Sequence, residues 1–226
     1  MLLKQLPLKI VSDGLDIQGI MLTANIFSNC CNYIEKEYCY SVTDENIKHI
    51  ISLSTQVSPA QTMTDLVMGY HGFDSLSKLG YICRIRQKND EVVIECKKRN
   101  NDGTQFGEEE IPIVSVAKGY SFLSLMGLKP YLLIERKREE RETPDFKICI
   151  DDVSLLGKFV EFEFKNADDL TAEKTLHNLL KNAKILGNPQ RLYGDIFQEK
   201  VTCDASFKQQ FEYRLKEITH GAIIKG

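Results

Sequence analysis

Strand-like stretches in which like charges recur at every second residue constrain this chain more than any other feature. The stretch KFVEFEFK, residues 158–165, alternates strictly: Phe159, Glu161 and Glu163 fall on one side of an extended strand, and Val160, Phe162 and Phe164 on the other. Glu35 and Glu37 share a side in YIEKEYCY, Arg84 and Arg86 in YICRIRQ, Glu108 and Glu110 in GEEEIPI, and Arg136 and Arg138 in LLIERKREER. Glu95 lies with Lys97 and Arg99 in VVIECKKR, and Lys147 with Cys149 and Asp151 in KICIDDV. Taken one strand at a time, a solvated face over a one-sided core accounts for each of these. Taken together they resist it. Carboxylates at i and i+2 sit about 6–7 Å apart and repel by about 2–3 kcal/mol at an effective dielectric of about 20. Mixing the signs would be easier on a wet surface, so segregated acids and bases suit a bound cation on the acids and a bound polyanion on the bases.

The periodicity predicts eight strands, near 32–42, 63–70, 80–88, 91–99, 107–114, 131–142, 145–153 and 158–166. Turn residues Asn89-Asp90, Asn101-Asp102-Gly103 and Thr143-Pro144-Asp145 join neighbours closely enough to require antiparallel pairing. Helices are predicted over 43–55, capped at Thr43/Asp44 with Ile47, Ile50 and Ile51 on one face, and over 115–126, from Ser115 to Gly127. A third covers 168–186, with Leu176, Leu179, Leu180 and Ala183 as its stripe, and shorter ones fit 190–199 and 206–218. Eight mostly antiparallel strands lose their exposed edges by closing on themselves. The expected fold is therefore α+β, a closed eight-stranded antiparallel barrel with helices packed outside, whose interior has room for one small ligand.

The domain expected is 31–200, with an N-terminal extension at 1–30 and a helical tail at 201–226. A net charge of -3 from 29 basic and 32 acidic side chains gives no global field toward nucleic acid, so any polyanion site must be local. ERKREERE balances its own charge, and SLLGKF lacks the upstream glycine of a phosphate loop. The seven cysteines contain no C-x-x-C pair and read as reduced thiols. With no apolar run approaching about 20 residues and no cleavage-site pattern, the expectation is a cytoplasmic protein without a membrane partner. The four histidines form no H-E-x-x-H. Carboxylates are ligands for Mg²⁺ or Mn²⁺, and guanidinium forks match phosphate oxygens in pairs, so the pattern suits metal-assisted phosphate chemistry.

Three stretches, YICRIRQ…VVIECKK, KPYLLIERKREER and ICIDDVSLLGKFVEFEF, with RLYGDIF after a helix, resemble the CYTH superfamily, the triphosphate tunnel metalloenzymes. That group includes class IV adenylyl cyclases, thiamine triphosphatases and inorganic triphosphatases. The resemblance covers roughly residues 32–199. It implies a tunnel open at both ends, with phosphate bound by Arg84, Arg86, Lys97, Arg136 and Arg138 and with metal on Glu35, Glu37, Glu161 and Glu163, supported by Asp151 and Glu110. Glu35, Glu37 and Arg138 are the implied catalytic residues. The implied partner is ATP, inorganic triphosphate or thiamine triphosphate, with no nucleic acid, and a homodimer is allowed. The reaction expected is hydrolysis, with cyclisation of ATP as the alternative. Cys39 stands where the family's Glu-x-Glu-x-Lys motif has lysine, which adds a third reading, a module that binds a nucleotide or polyphosphate without turning it over.

Overall fold

The computed structural model describes residues 37–74, 80–99, 106–165, 170–189 and 193–224. Eight strands form one antiparallel sheet: β1 (Glu37–Ser41), β2 (Thr55–Gly69), β3 (Tyr81–Lys88), β4 (Glu91–Arg99), β5 (Phe106–Pro112), β6 (Lys129–Glu142), β7 (Phe146–Val153) and β8 (Gly157–Phe164). Their order across the sheet is β1-β8-β7-β6-β2-β3-β4-β5. Among the described residues no ladder joins β5 back to β1, so the observed architecture is a curled sheet, coarser than the hydrogen-bond-closed barrel expected. Side chains from both edge strands nevertheless line one cavity. Two of the predicted turns are present: Asn89 takes φ 53°, a left-handed conformation that asparagine tolerates, and Thr143 N donates to Phe146 O at 2.9 Å. The Asn101-Asp102-Gly103 turn and the start of the first predicted strand lie outside the described residues.

Five helices are described: α1 (Asp44–Leu53), α2 (Val116–Leu125), α3 (Leu170–Asn182), α4 (Tyr193–Cys203) and α5 (Ala205–Ile224). The α1 start is set by Thr43, whose hydroxyl accepts from Asn46 N while Asn46 Oδ1 accepts from Thr43 N, a reciprocal cap. The Ser115 hydroxyl caps α2 by accepting from Lys118 N, without a reciprocal bond, and Gly127 at φ 87° lets the chain leave the helix.

The sheet buries its outer face under α1, α2 and α3, with Leu215 and Ile218 of α5 packed beside α2. Ile50 of α1 and Leu176, Leu179 and Ala183 of α3 pack on Phe146, Ile148, Val160, Phe162 and Phe164. Each large side chain fully buried there contributes about 1.5–3 kcal/mol. Ile51, expected on the same face of α1 as Ile50, is 40% exposed instead, because it lies 100° further round the helix. Leu123 of α2 packs with Leu66, Met68, Ile85 and Ile94 on the other half. The last two helices behave differently from the expectation of helices outside only. Phe197 of α4 and Phe207 and Phe211 of α5 pack with Val67, Leu132, Ile134 and Phe159, which are on the inner face of the sheet. Tyr193, Gly194 and Asp195 at the start of α4 thereby line the cavity beside Leu132 and Ile134. No described helix is long and apolar enough to cross a membrane.

Candidate active site

The period of two that separates the faces of β6 also builds a gradient inside the sheet. Leu132 and Ile134, then Arg136 and Arg138, then Glu140 line the cavity in that order, from the apolar end under α4 to the charged end. The cavity holds about 440 Å³. Arg84, Arg86 and Lys88 enter it from β3, Lys97 from β4, Glu108 and Glu110 from β5, Lys147 and Cys149 from β7, and Glu161 and Glu163 from β8. Glu37 and Cys39 enter from β1. Of the residues expected to bind phosphate, all five therefore reach one space, and of the expected metal ligands Glu37, Glu110, Glu161 and Glu163 do so as well. Glu35 lies outside the described residues.

Beneath the arginines are three carboxylates, Asp65, Glu95 and Asp151, each 0% exposed. Asp65 accepts from Arg86 Nε at 2.8 Å and Nη2 at 3.2 Å, and its Oδ2 also meets Arg136 Nη2 at 3.1 Å and Arg84 Nη1 at 3.4 Å. Glu95 accepts from Arg86 Nη1 at 2.5 Å and pairs with Arg84. Asp151 accepts from Arg138 Nε at 2.8 Å and Nη2 at 2.6 Å, and from the Tyr193 hydroxyl at 2.9 Å. Such paired, hydrogen-bonded geometry is what lets charges remain buried. Burial alone would raise the Asp65 carboxyl, but Arg84, Arg136 and Arg86 outweigh it and hold it far below the ordinary carboxylate range. Burial likewise opposes ionisation of Asp151, and Arg138 reverses the shift to a net lowering. Asp151, expected among the supporting metal ligands, has its oxygens on Arg138 and Tyr193, with Arg136 Nε 3.8 Å from Oδ2.

The wall acids are also engaged. Glu161 pairs with Arg138, Glu163 with Lys147 at 3.4 Å, Glu108 with Lys97 at 2.8 Å and Glu140 with Lys88 at 3.0 Å. In register Glu37 faces Glu163 directly across β1 and β8, and Glu95 faces Glu110 across β4 and β5. Like charges in such positions are destabilising unless something neutralises them. Oxygen atoms of Glu95, Glu108 and Glu110 also come within 4.8 Å of one another. Cys39 sits opposite Glu161, and burial, with Glu161 next, pushes its thiol far above the ordinary range. Burial pushes Cys149 up to about 11. Both thiols therefore stay protonated at neutral pH and are poor nucleophiles.

Sequence reasoning passed over Asp65, Tyr193, Lys88 and the supporting role of Glu95. Asp65 carried a signal: it is the one acid on a strand face shared with Met63 and Val67, and an acid alone among buried apolar neighbours needs a partner. Glu95 carried another, because it and Arg84 are equidistant from the Asn89-Asp90 turn and so are paired by a two-residue hairpin. Tyr193 reaches Asp151 from a helix 42 residues away, and nothing local announces that contact.

A family model described as the CYTH domain matches residues 72–191. No curated protein sequence matches the chain. Among solved structures, the PH1819 protein of Pyrococcus horikoshii OT3 is similar at 24% identity and a TM-score of 0.61, covering 74% of this chain and 99% of that one. A conserved protein of Pyrococcus furiosus aligns at 17% identity and a TM-score of 0.60, covering 71% and 98%. The HpAC1 protein of Hippeastrum aligns at 15% identity and 0.55, covering 74% and 95%. At these identities the structures show a shared fold. The family match spans more than half of the chain and includes both arginine pairs, the buried Asp151 and the two glutamates of β8, and by it this protein belongs to the CYTH family.

Proposed function

We propose that the cavity binds the triphosphate group of a small molecule together with Mg²⁺ or Mn²⁺ and that the protein hydrolyses it. The observation that carries this reading is the charge content of one cavity. Seven cationic side chains line the cavity, against eight acidic ones, and three further carboxylates lie beneath. Acids exceed bases, so a polyanion would be repelled by the cavity as a whole unless divalent cations entered with it. The donor set fits such ions: Glu37, Glu161 and Glu163 offer hard carboxylate oxygens from adjacent strands, and Glu37 and Glu163 oppose each other with like charge. A divalent ion held there would supply counter-charge and polarise a phosphoryl oxygen.

The chain's own residues do the rest. Arg84, Arg86, Arg136 and Arg138 present guanidinium forks to phosphate oxygens, and Lys97 adds a point charge. Asp65, Glu95 and Asp151 hold those forks in place before substrate arrives, so little reorganisation is needed when charge develops on the transferred group. Among the described residues, Nε of Arg84 and of Arg136 is buried without an acceptor at hydrogen-bond distance, Asp151 Oδ2 lying 3.8 Å from that of Arg136, and an incoming anion could supply one by drawing the guanidinium toward it. Glu37 would accept the proton of the attacking water. The apolar end, with Phe73, Tyr131 and Leu132, would take the organic part of the substrate.

One observation favours a second reading. The protonated Cys39 thiol cannot supply the positive charge that lysine gives at that position, which would leave a cavity that captures a triphosphate without turnover. HpAC1 is described as having a dominant triphosphatase activity despite a name taken from adenylyl cyclase, which supports hydrolysis over cyclisation for this fold. Incubation of the pure protein with ATP, inorganic triphosphate and thiamine triphosphate, with Mg²⁺ or Mn²⁺, distinguishes the outcomes. Orthophosphate release that stops on chelation is expected. Pyrophosphate with a cyclic nucleotide would replace hydrolysis by cyclisation, and binding without product would replace it by capture.

A further inference from the structure

The hairpin formed by β3 and β4 sets Cys83 directly opposite Cys96, and their sulfur atoms are 3.3 Å apart. Directly opposed residues of antiparallel strands have Cα atoms about 4.5–5.5 Å apart. That separation lies within the span of a disulfide, so closing one requires side-chain rotation and no movement of the strands. Both residues are free thiols here. They lie on the outer face of the sheet, across the backbone from Arg84 and Glu95, and so belong to neither the cavity nor its ion pairs.

The two thiols differ in surroundings. Cys83 is 4% exposed and packs with Ile85, Ile94 and Leu123, whereas Cys96 is exposed. Packing accounts for Cys83 as a small apolar residue. On the β2 side Cys83 faces the buried Met68, but packing gives no reason for an exposed cysteine at the β4 position that faces it. An exposed sulfur beside a buried one is the arrangement in which the first meets an oxidant and the second resolves the adduct.

We propose that Cys83 and Cys96 form a reversible redox site, a cross-strand disulfide closed by small-molecule disulfides of the glutathione class. The Cys96 thiolate attacks one sulfur of the oxidant, forming a mixed disulfide and expelling one thiolate. Cys83, losing its proton to solvent, then attacks the Cys96 sulfur and expels the second thiolate. Two protein thiols are oxidised, one small disulfide is reduced to two thiols, and the two protons end on those thiols. The bond encloses only the β3–β4 hairpin and is exposed on one side, which makes it accessible to reduction by a dithiol. Its consequence is mechanical: it pins together the strands whose inner faces carry Arg84, Arg86, Glu95 and Lys97.

The test uses the reduced full-length chain, incubated with glutathione disulfide, alkylated and digested without reduction for peptide mass spectrometry. A Cys83–Cys96 linked peptide is expected, lost on dithiothreitol treatment and absent in Cys96→Ser. Cys83→Ser is expected to leave Cys96 as its glutathione adduct. Cys203→Ser, which removes an exposed thiol on α4, should leave the link unchanged. Full alkylation of Cys83 and Cys96 at an oxidant level that modifies Cys203 would overturn the proposal, as would linkage of Cys96 to any other cysteine.

Discussion

Asp65→Asn is expected to lower the free energy of unfolding by about 3–5 kcal/mol in a urea titration, the cost of breaking a buried ion pair on one side. Asp65 is 0% exposed and meets three guanidinium groups, those of Arg84, Arg86 and Arg136. Removing its charge leaves those arginines crowded over Glu95 and Asp151 alone, and an amide cannot accept from all of them. Against a total of about 5–15 kcal/mol the loss is large. Asp90→Asn, in the exposed β3–β4 turn, should stay within about 0.5 kcal/mol. The acid limb of stability follows from the same carboxyl. Its native pKa is held far below the unfolded value near 3.9, so between the two the unfolded chain binds the extra proton. The contribution of Asp65 is therefore complete above the ordinary aspartate range and is lost as pH falls below it. Asp65→Asn should flatten that limb; a variant with wild-type stability and wild-type acid dependence would remove Asp65 from the support of the site.

If the proposed triphosphate hydrolysis holds, Arg138→Lys is expected to cut turnover by about 10²–10³-fold, the usual cost of losing one preorganised donor. Lysine keeps a positive charge near Asp151 and Glu161, so the fold is retained, but it loses the planar fork that spans two oxygens. Alanine would confound the result by stranding Asp151, which is why the conservative change is the informative one. Arg214→Lys on α5, where the partners are Glu135 and Glu217 near the surface, is the matching control and should change nothing. Comparison of phosphate release and of tripolyphosphate affinity in the three proteins separates the role of the fork from that of charge. Equal turnover in Arg138→Lys and wild type would take Arg138 out of the substrate site.

The inner face was legible because the strand period is fixed at two: once Glu161 and Glu163 were seen opposite Phe162 and Phe164, the side on which the charges fall followed, and α3 now covers the phenylalanines. What the pattern could not carry was contact between distant segments. The first half of β2, Thr55–Thr62, is largely polar and contains Ser58-Pro59, so it lacks the alternation that marked the other strands, yet it pairs with β6 across irregular register. The packing of α4 and α5 across Val67, Leu132 and Phe159 was likewise invisible, since an amphipathic helix does not state which face of a sheet it will cover. Buried counter-charges were the harder omission. The arginine pairs announced a polyanion, but the arrangement that keeps four arginines together in its absence depends on Asp65, Glu95 and Asp151, each from a different strand. Cys83 and Cys96 were readable as partners, being equidistant from Asn89-Asp90, although each taken alone is an ordinary strand cysteine.

A cavity richer in acid than in base is expected to accept a triphosphate only with divalent cations. Calorimetric titration of inorganic triphosphate into the wild-type protein, once stripped with chelator and once in excess Mg²⁺ or Mn²⁺, tests it most directly. Saturable binding with the metal and none without it is the predicted result. Binding of equal affinity in the stripped protein, or no binding in either state, would contradict it.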